Sequence, residues 1–136
     1  MNTPFVSVII PTYNRAWSLK KAIDSVLEQD YKNFELIVVD DGSTDDTEAL
    51  VTEYAKSVKF VQQPNLGVSA ARNKGIQISS GSLISFLDSD DYWEPKKMST
   101  PVEFFNANPD ALIFQTEETW ISNGKTVNPK KKKKKQ

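Results

Sequence analysis

The chain has no cysteine and no histidine in its 136 residues. Without cysteine there can be no disulfide framework, no thiolate metal site and no thiol nucleophile. Without histidine, the commonest general base and the commonest transition-metal ligand are both missing. Any chemistry must rest on carboxylates, hydroxyls, lysines and arginines. Long apolar runs are also absent. No stretch approaches the roughly 18 residues a membrane span needs, and the N-terminus lacks a signal peptide's basic start and apolar stretch. A cytoplasmic protein is the expectation. The remaining composition, 38% hydrophobic and 26% charged, suits one compact domain around one hydrophobic core.

The net charge of −1 conceals an asymmetry, because six of the 17 basic residues form a single block, Lys130 to Lys135. The rest of the chain carries 11 basic against 18 acidic residues, a net charge of −7. An acidic body argues against a nucleic-acid partner, since phosphate binding needs a basic surface. It suits divalent cations better. The block, with residues 130–136, is expected to be a solvated, disordered tail. A sharper alternative is peripheral contact with anionic lipid or with a phosphorylated acceptor.

Short β-branched runs alternate with helical patterns. "VSVII", Val6 to Ile10, lies between Pro4 and Pro11 and suits a strand buried on both faces. Ala16 to Gln29 carries Trp17, Lys21, Ile23, Val26 and Leu27 largely at helical spacing. "FELIVVD", Phe34 to Asp40, is a second buried strand, closed by the turn-forming "DDGSTDD". Thr44 or Asp45 can cap a helix running to about Lys56. "VKFVQQ" is a third strand, then comes a helix capped by Ser69, and "SLISFLD", Ser82 to Asp88, is a fourth strand. The order β-α-β-α-β-α-β predicts an α/β fold with a mostly parallel sheet and helices on both faces. "TPVE", Thr100 to Glu103, has the pattern of a capping box opening a helix to about Ala107. Beyond it, "ALIFQTEETWIS" and "KTVN" flank Asn123-Gly124, which predicts a C-terminal antiparallel hairpin.

Ligands of open parallel sheets bind outside the carboxyl ends of the strands, where strand order reverses. The polar clusters fall at those ends: "PTYNR" after strand one, "DDGS" after strand two, "DSDD" after strand four. Each has a plain structural account. "DDGS" is ordinary turn chemistry, Asp88 to Asp91 can cap the next helix, Tyr13 and Trp93 can be packing residues, and Arg72 a surface residue. Their joint placement favours a crevice. Carboxylates gathered there raise one another's pKa unless a cation neutralises them, and with no His or Cys a hard ion such as Mg²⁺ or Mn²⁺ is the natural candidate. The chain lacks G-x-G-x-x-G after strand one and lacks G-x-x-x-x-G-K-[ST], which argues against a dinucleotide-cofactor site and a P-loop.

Taken together, "VSVIIPTYNR", "LEQDYKNFELIVVDDGSTDDT", "NLGVSAARNKGI" and "GSLISFLDSDDYWEP" resemble the family 2 glycosyltransferases of the GT-A fold, in the family's order and spacing. The resemblance implies a nucleotide-diphospho-sugar donor, most commonly a UDP-sugar. It also implies a divalent metal (Mn²⁺ or Mg²⁺) and transfer with inversion to the hydroxyl of a saccharide or lipid-linked acceptor, as in cell-surface polysaccharide biosynthesis. Carried over by residue, Pro11 and Tyr13 would line the base and ribose pocket and Asp41 would hydrogen-bond the base. Gly67 would let the backbone approach the nucleotide, and Arg72 would sit near the base or phosphates. Asp88-Ser89-Asp90 matches the family's D-x-D signature. Asp88 would contact the ribose or the metal's water shell, and Asp90 would ligate the metal. Thr12, Arg15, Asp40 and Ser89 on the same turns complete the expected donor-binding set.

The family's catalytic base lies well past the D-x-D, yet only 46 residues follow Asp90. Glu117 and Glu118, the last acidic residues, precede the position where the base belongs. Residues 1–129 are therefore expected to form the nucleotide-sugar-binding half of a larger domain that stops before the base, with little transfer activity alone. The alternative is a nucleotide-binding or interaction module without catalysis.

Overall fold

The computed structural model describes residues 3–115 and 119–122. Six strands and four helices run in the order β1 Val6–Thr12, α1 Ala16–Leu27, β2 Phe34–Asp40, α2 Thr47–Thr52, β3 Lys59–Gln62, α3 Val68–Ile78, β4 Leu83–Phe86, α4 Ser99–Ala107, β5 Ile113–Gln115 and β6 Thr119–Ser122. One sheet holds all six strands in the order β3-β2-β1-β4-β6-β5. The first four are parallel, with Val6 opposite Phe34 and Leu83, while β6 joins β4 antiparallel and β5 joins β6 antiparallel. This is the expected α/β architecture.

Its layers come from the period-2 alternation of strands. Val6, Val8 and Ile10 point to one face, where Leu19, Ile23 and Val26 of α1, Val51 of α2, and Val102 and Phe105 of α4 close over them. Ile9, Ile37, Val39 and Ile84 point to the other, against Ala71 of α3. β1 is buried along its whole length, and each fully buried Val, Leu or Ile there contributes about 1.5–3 kcal/mol. A strand covered on both sides has no polar face to show, which is why "VSVII" is nearly all apolar.

Several local expectations change. β1 runs through Pro11 to Thr12. Ile9 O accepts the Leu87 N–H, so alternate residues of β1, and Pro11 with them, turn toward β4. β4 pairs β1 only as far as Ile9, so the N–H that proline lacks removes no ladder bond. Trp17, placed on the core stripe of α1 by spacing, is 77% exposed, whereas Leu19 and Ala22 are buried. α2 ends at Thr52, short of Lys56. Gly67, at φ 104°, takes the N-cap of α3 in place of Ser69, and α4 starts at Ser99, ahead of the Thr100 box.

The largest difference is at the C-terminal side. The run expected as one hairpin arm holds two strands, Ile113 opposite Ile121 and Gln115 opposite Thr119. The pair is antiparallel as expected, but it forms inside the run because β6 is drawn onto β4, placing Trp120 fully buried in the core. The Asn123-Gly124 turn, Glu117, Glu118 and Lys130 to Lys135 lie outside the described residues.

Candidate functional site

Strand order reverses between β1 and β4, since β2 and β3 lie on one side of β1 and β4 on the other. At the carboxyl ends of these strands is a cavity of about 590 Å³ lined by Pro11, Thr12, Tyr13, Arg15, Asp41, Asn65, Gly67, Val68, Ala71, Asp88, Ser89 and Asp90. Its location is the one open α/β sheets use for ligands. Asp40 and Arg72, expected in the same set, stand outside this lining. Asp40 is buried and its Oδ1 accepts the Ser43 N–H at 3.0 Å, which shapes the turn. Arg72 reaches the site only through Asp88.

The loops forming the cavity are tied to one another. Asn14 adopts the left-handed conformation at φ 51°, which asparagine tolerates better than most residues. Its N–H donates to Ser43 Oγ at 2.7 Å and its Oδ1 accepts the Thr44 N–H at 2.8 Å. Asp45 accepts the Ala16 N–H on Oδ2 at 3.0 Å and the Thr47 N–H on Oδ1 at 3.1 Å. One carboxylate thus serves first-turn donors of both α1 and α2. Burial pushes the Asp45 carboxyl up, but hydrogen bonds from Thr47 and the Ala16 N–H outweigh it and hold it below its ordinary value. Ser18 Oγ donates to Ser89 O at 2.7 Å, fastening the first turn of α1 to the aspartate loop.

Asp41 is a buried carboxylate used as a mould. Its Oδ1 accepts from Gln63 Nε2 and the Leu66 N–H, both at 2.8 Å, and its Oδ2 from the Gly67 N–H at 2.9 Å. Asn65 Nδ2 donates to Asp41 O at 3.0 Å. Burial pushes this carboxyl up, yet the Gln63, Leu66 and Gly67 hydrogen bonds prevail and its pKa is lowered. The loop leading into α3 is wrapped around it.

Asp88 and Asp90 lie in a different environment. Their side chains are 64% and 44% exposed, and each is paired with a guanidinium: Arg72 Nη2 at 3.6 Å from Asp88 Oδ1, and Arg15 Nη1 at 2.6 Å from Asp90 Oδ2. Beyond them the chain is pinned to the core. Trp93 stacks on Trp120 with ring centroids 5.6 Å apart, and its backbone N–H donates to Ser25 Oγ at 3.0 Å. Buried Gln29 holds the next turn, donating to Glu94 O and accepting the Met98 N–H.

Among the described residues, no group of three or more carboxylates could cage a metal by itself. The Asp88–Asp90 pair nevertheless fits a hard cation. It offers oxygen donors two residues apart at a cavity wall, and Mg²⁺-type ions take one or two carboxylates and complete their shell with phosphate oxygens and water.

Sequence reasoning misses Asn65, Val68 and Ala71 as lining residues and Ser18 and Gln29 as braces, while Asp45, expected to cap α2, also reaches Ala16 of α1. Asn65 and Val68 flank Gly67 in "NLGVSAARNKGI", so the motif marks the segment without separating lining from framework.

The fold and cavity define an open α/β domain with a ligand-sized crevice at the switch point of its sheet. The family model "Glycosyl transferase family 2" matches residues 7–134, and the chain belongs to that family. It is 40% identical over 114 residues to an uncharacterized glycosyltransferase of Rickettsia prowazekii, covering 82% of this chain and 36% of that one. Among solved structures it is similar to S. aureus TarS 1-349 in complex with UDP-GlcNAc, with a TM-score of 0.71 and 33% identity over 75% of this chain and 31% of that chain. A mannosyltransferase from Pyrobaculum calidifontis, in complex with GDP-Man and Mn²⁺, shares the fold at a TM-score of 0.75 and 24% identity, over 88% of this chain and 44% of that one. The chain thus spans about a third of the length of the first two.

Proposed function

We propose that this chain binds the donor of a glycosyltransferase: a nucleotide-diphospho-sugar, with UDP as the nucleotide, whose sugar passes to an acceptor hydroxyl. One observation carries the reading: Tyr13, Asp41, Asp88 and Asp90, from three separate loops, line one cavity at the switch point of the sheet. The UDP-GlcNAc bound by the 33%-identical TarS supports the choice of nucleotide.

Half-exposed Tyr13 offers a ring face to the base. Asp41 Oδ2 takes the Gly67 N–H at 2.9 Å and Asn65 Nδ2 only at 3.4 Å, so a base N–H would take the place of the longer contact. Asp88 and Asp90 would hold Mn²⁺ or Mg²⁺. A divalent ion there supplies neutralisation of the charge growing on the leaving diphosphate. Gly67 brings backbone to the cavity wall without a side chain. None of the described residues is assigned as the base that deprotonates the acceptor. Asp41 has a lowered pKa and most of its lone pairs engaged in its own loop, so it is a weak base. Inversion and the saccharide or lipid-linked acceptor belong to this reading through the family resemblance, and peripheral membrane contact through the basic block Lys130 to Lys135.

Calorimetric titration with UDP, with and without Mn²⁺, tests it. Binding should require the ion and fall about tenfold or more in Asp90→Ala, the worth of one charged ligand. Metal-independent binding that survives the substitution would sink the assignment of Asp90. A nucleotide-binding module without catalysis is the second reading, favoured by the saturated, low-pKa state of the buried Asp41. Release of UDP from UDP-GlcNAc by the chain would exclude it.

A further inference from the structure

The paired carboxylates of the aspartate loop are already neutralised, by two arginines from two different elements. We propose that Arg15, ion-paired to Asp90 across the cavity, is a resident counter-cation that must leave Asp90 before a divalent ion can take it, and that it then pairs the donor's diphosphate. The inference rests on the reading of the cavity as a metal and diphosphate site.

Three features single out Arg15. Its contact, at 2.6 Å, is the close one, whereas Arg72 stands 3.6 Å from Asp88 and outside the cavity lining. The backbones carrying the pair are braced to each other. Arg15 O accepts the Ser18 and Leu19 N–H groups, and Ser18 Oγ in turn donates to Ser89 O, next to Asp90. The fold therefore sets the separation of the two side-chain roots. The side chains themselves are 43% and 44% exposed, so the pair is weak enough to exchange.

Charge then dictates the order of events. A divalent ion arriving alone displaces a guanidinium and leaves it without an anion. An ion arriving with a diphosphate provides that guanidinium with phosphate oxygens, which its planar fork can grip in pairs. Arg15 would thus make metal and nucleotide binding mutually dependent, and by linkage the coupling acts equally in both directions.

The test titrates the 136-residue chain with Mn²⁺ alone, following free Mn²⁺ by its paramagnetic resonance signal, and then with UDP at saturating Mn²⁺. The chain is compared with Arg15→Ala and Arg15→Gln, the latter keeping most of the stem. Both variants should bind Mn²⁺ alone about two- to fivefold more tightly, the worth of a half-exposed pair. They should bind UDP about tenfold more weakly, the worth of a charge-assisted contact. Changes of opposite sign cannot come from a merely structural role. Unchanged or weaker Mn²⁺ binding in both variants would overturn the proposal. Tighter Mn²⁺ binding with unchanged UDP affinity would overturn its diphosphate half. If the parent chain binds Mn²⁺ but no UDP, the donor reading itself fails, while the Mn²⁺ comparison still decides whether Arg15 guards Asp90.

Discussion

Two acidic loops stand at the same edge of one sheet and use their carboxylates in opposite ways. Asp41, after β2, is buried and accepts hydrogen bonds from Gln63, Leu66 and Gly67. Asp88 and Asp90, after β4, have largely exposed side chains paired with guanidinium groups. The first loop commits most of its acceptor capacity to building the cavity, and the second leaves its carboxylates exposed at the cavity wall. The two loops look alike as runs of aspartate, and burial separates them. A buried carboxylate must be saturated to be tolerated, while an exposed one can wait on arginine at little cost.

The contrast can be broken by substitution. Asp41→Ala should give the largest loss of stability, about 3 kcal/mol, because it strands two backbone N–H groups and a half-buried amide. Urea denaturation would read it, and a loss below about 1 kcal/mol would mean the loop before α3 stands without its mould. Gly42→Ala should come next at about 2 kcal/mol, from backbone strain added to a clash. Gly42 sits at φ 86° and a Cβ there would lie 2.9 Å from Asn65 N. A thermal melt unchanged by this variant would show that the β2 turn can yield.

Acid should then erode the Asp41 contribution selectively. Its folded pKa lies below the ordinary 3.8, so its stabilisation is complete above that value and is lost as pH falls through the lower folded one. The Tm gap between the parent and Asp41→Asn should therefore hold from about pH 8 to about pH 5 and narrow below about pH 4. A gap that closes near neutrality would contradict the saturated carboxylate. Last, Asp90→Asn should change stability by no more than about 0.5 kcal/mol, while removing Mn²⁺-dependent UDP binding. A stability loss comparable with that of Asp41→Ala would place both loops in the framework.

Much of this is legible in the residues. β2 is Phe34–Asp40 in pattern and in structure, because a strand buried on both faces leaves little choice but a continuous apolar run. Tyr13, Asp41, Asp88 and Asp90 stand out because strand-end turns gather at one edge of a parallel sheet, and Gly67 enters through the family resemblance. The misses have physical causes. Trp17 fits the helical period but falls at the rim of the stripe, where spacing cannot distinguish inside from outside. The stretch between β5 and β6 has no Gly, Pro, Asn or Asp to announce their pairing, which goes with the pairing of β6 to β4. Arg72 pairs with Asp88 from outside the cavity lining, a contact between distant segments that helical spacing does not announce.

The sequence by itself determined the alternation of strands and helices, the absence of histidine and cysteine chemistry, and the edge where acids would gather. These come from local pattern and composition, which the chain carries wherever it folds. Only the tertiary structure decided which aspartates are buried in the framework and which are exposed at the cavity wall, and that Arg15 meets Asp90. Those facts depend on burial and on contacts between residues as distant in the chain as Ser18 and Ser89, and no local pattern encodes them.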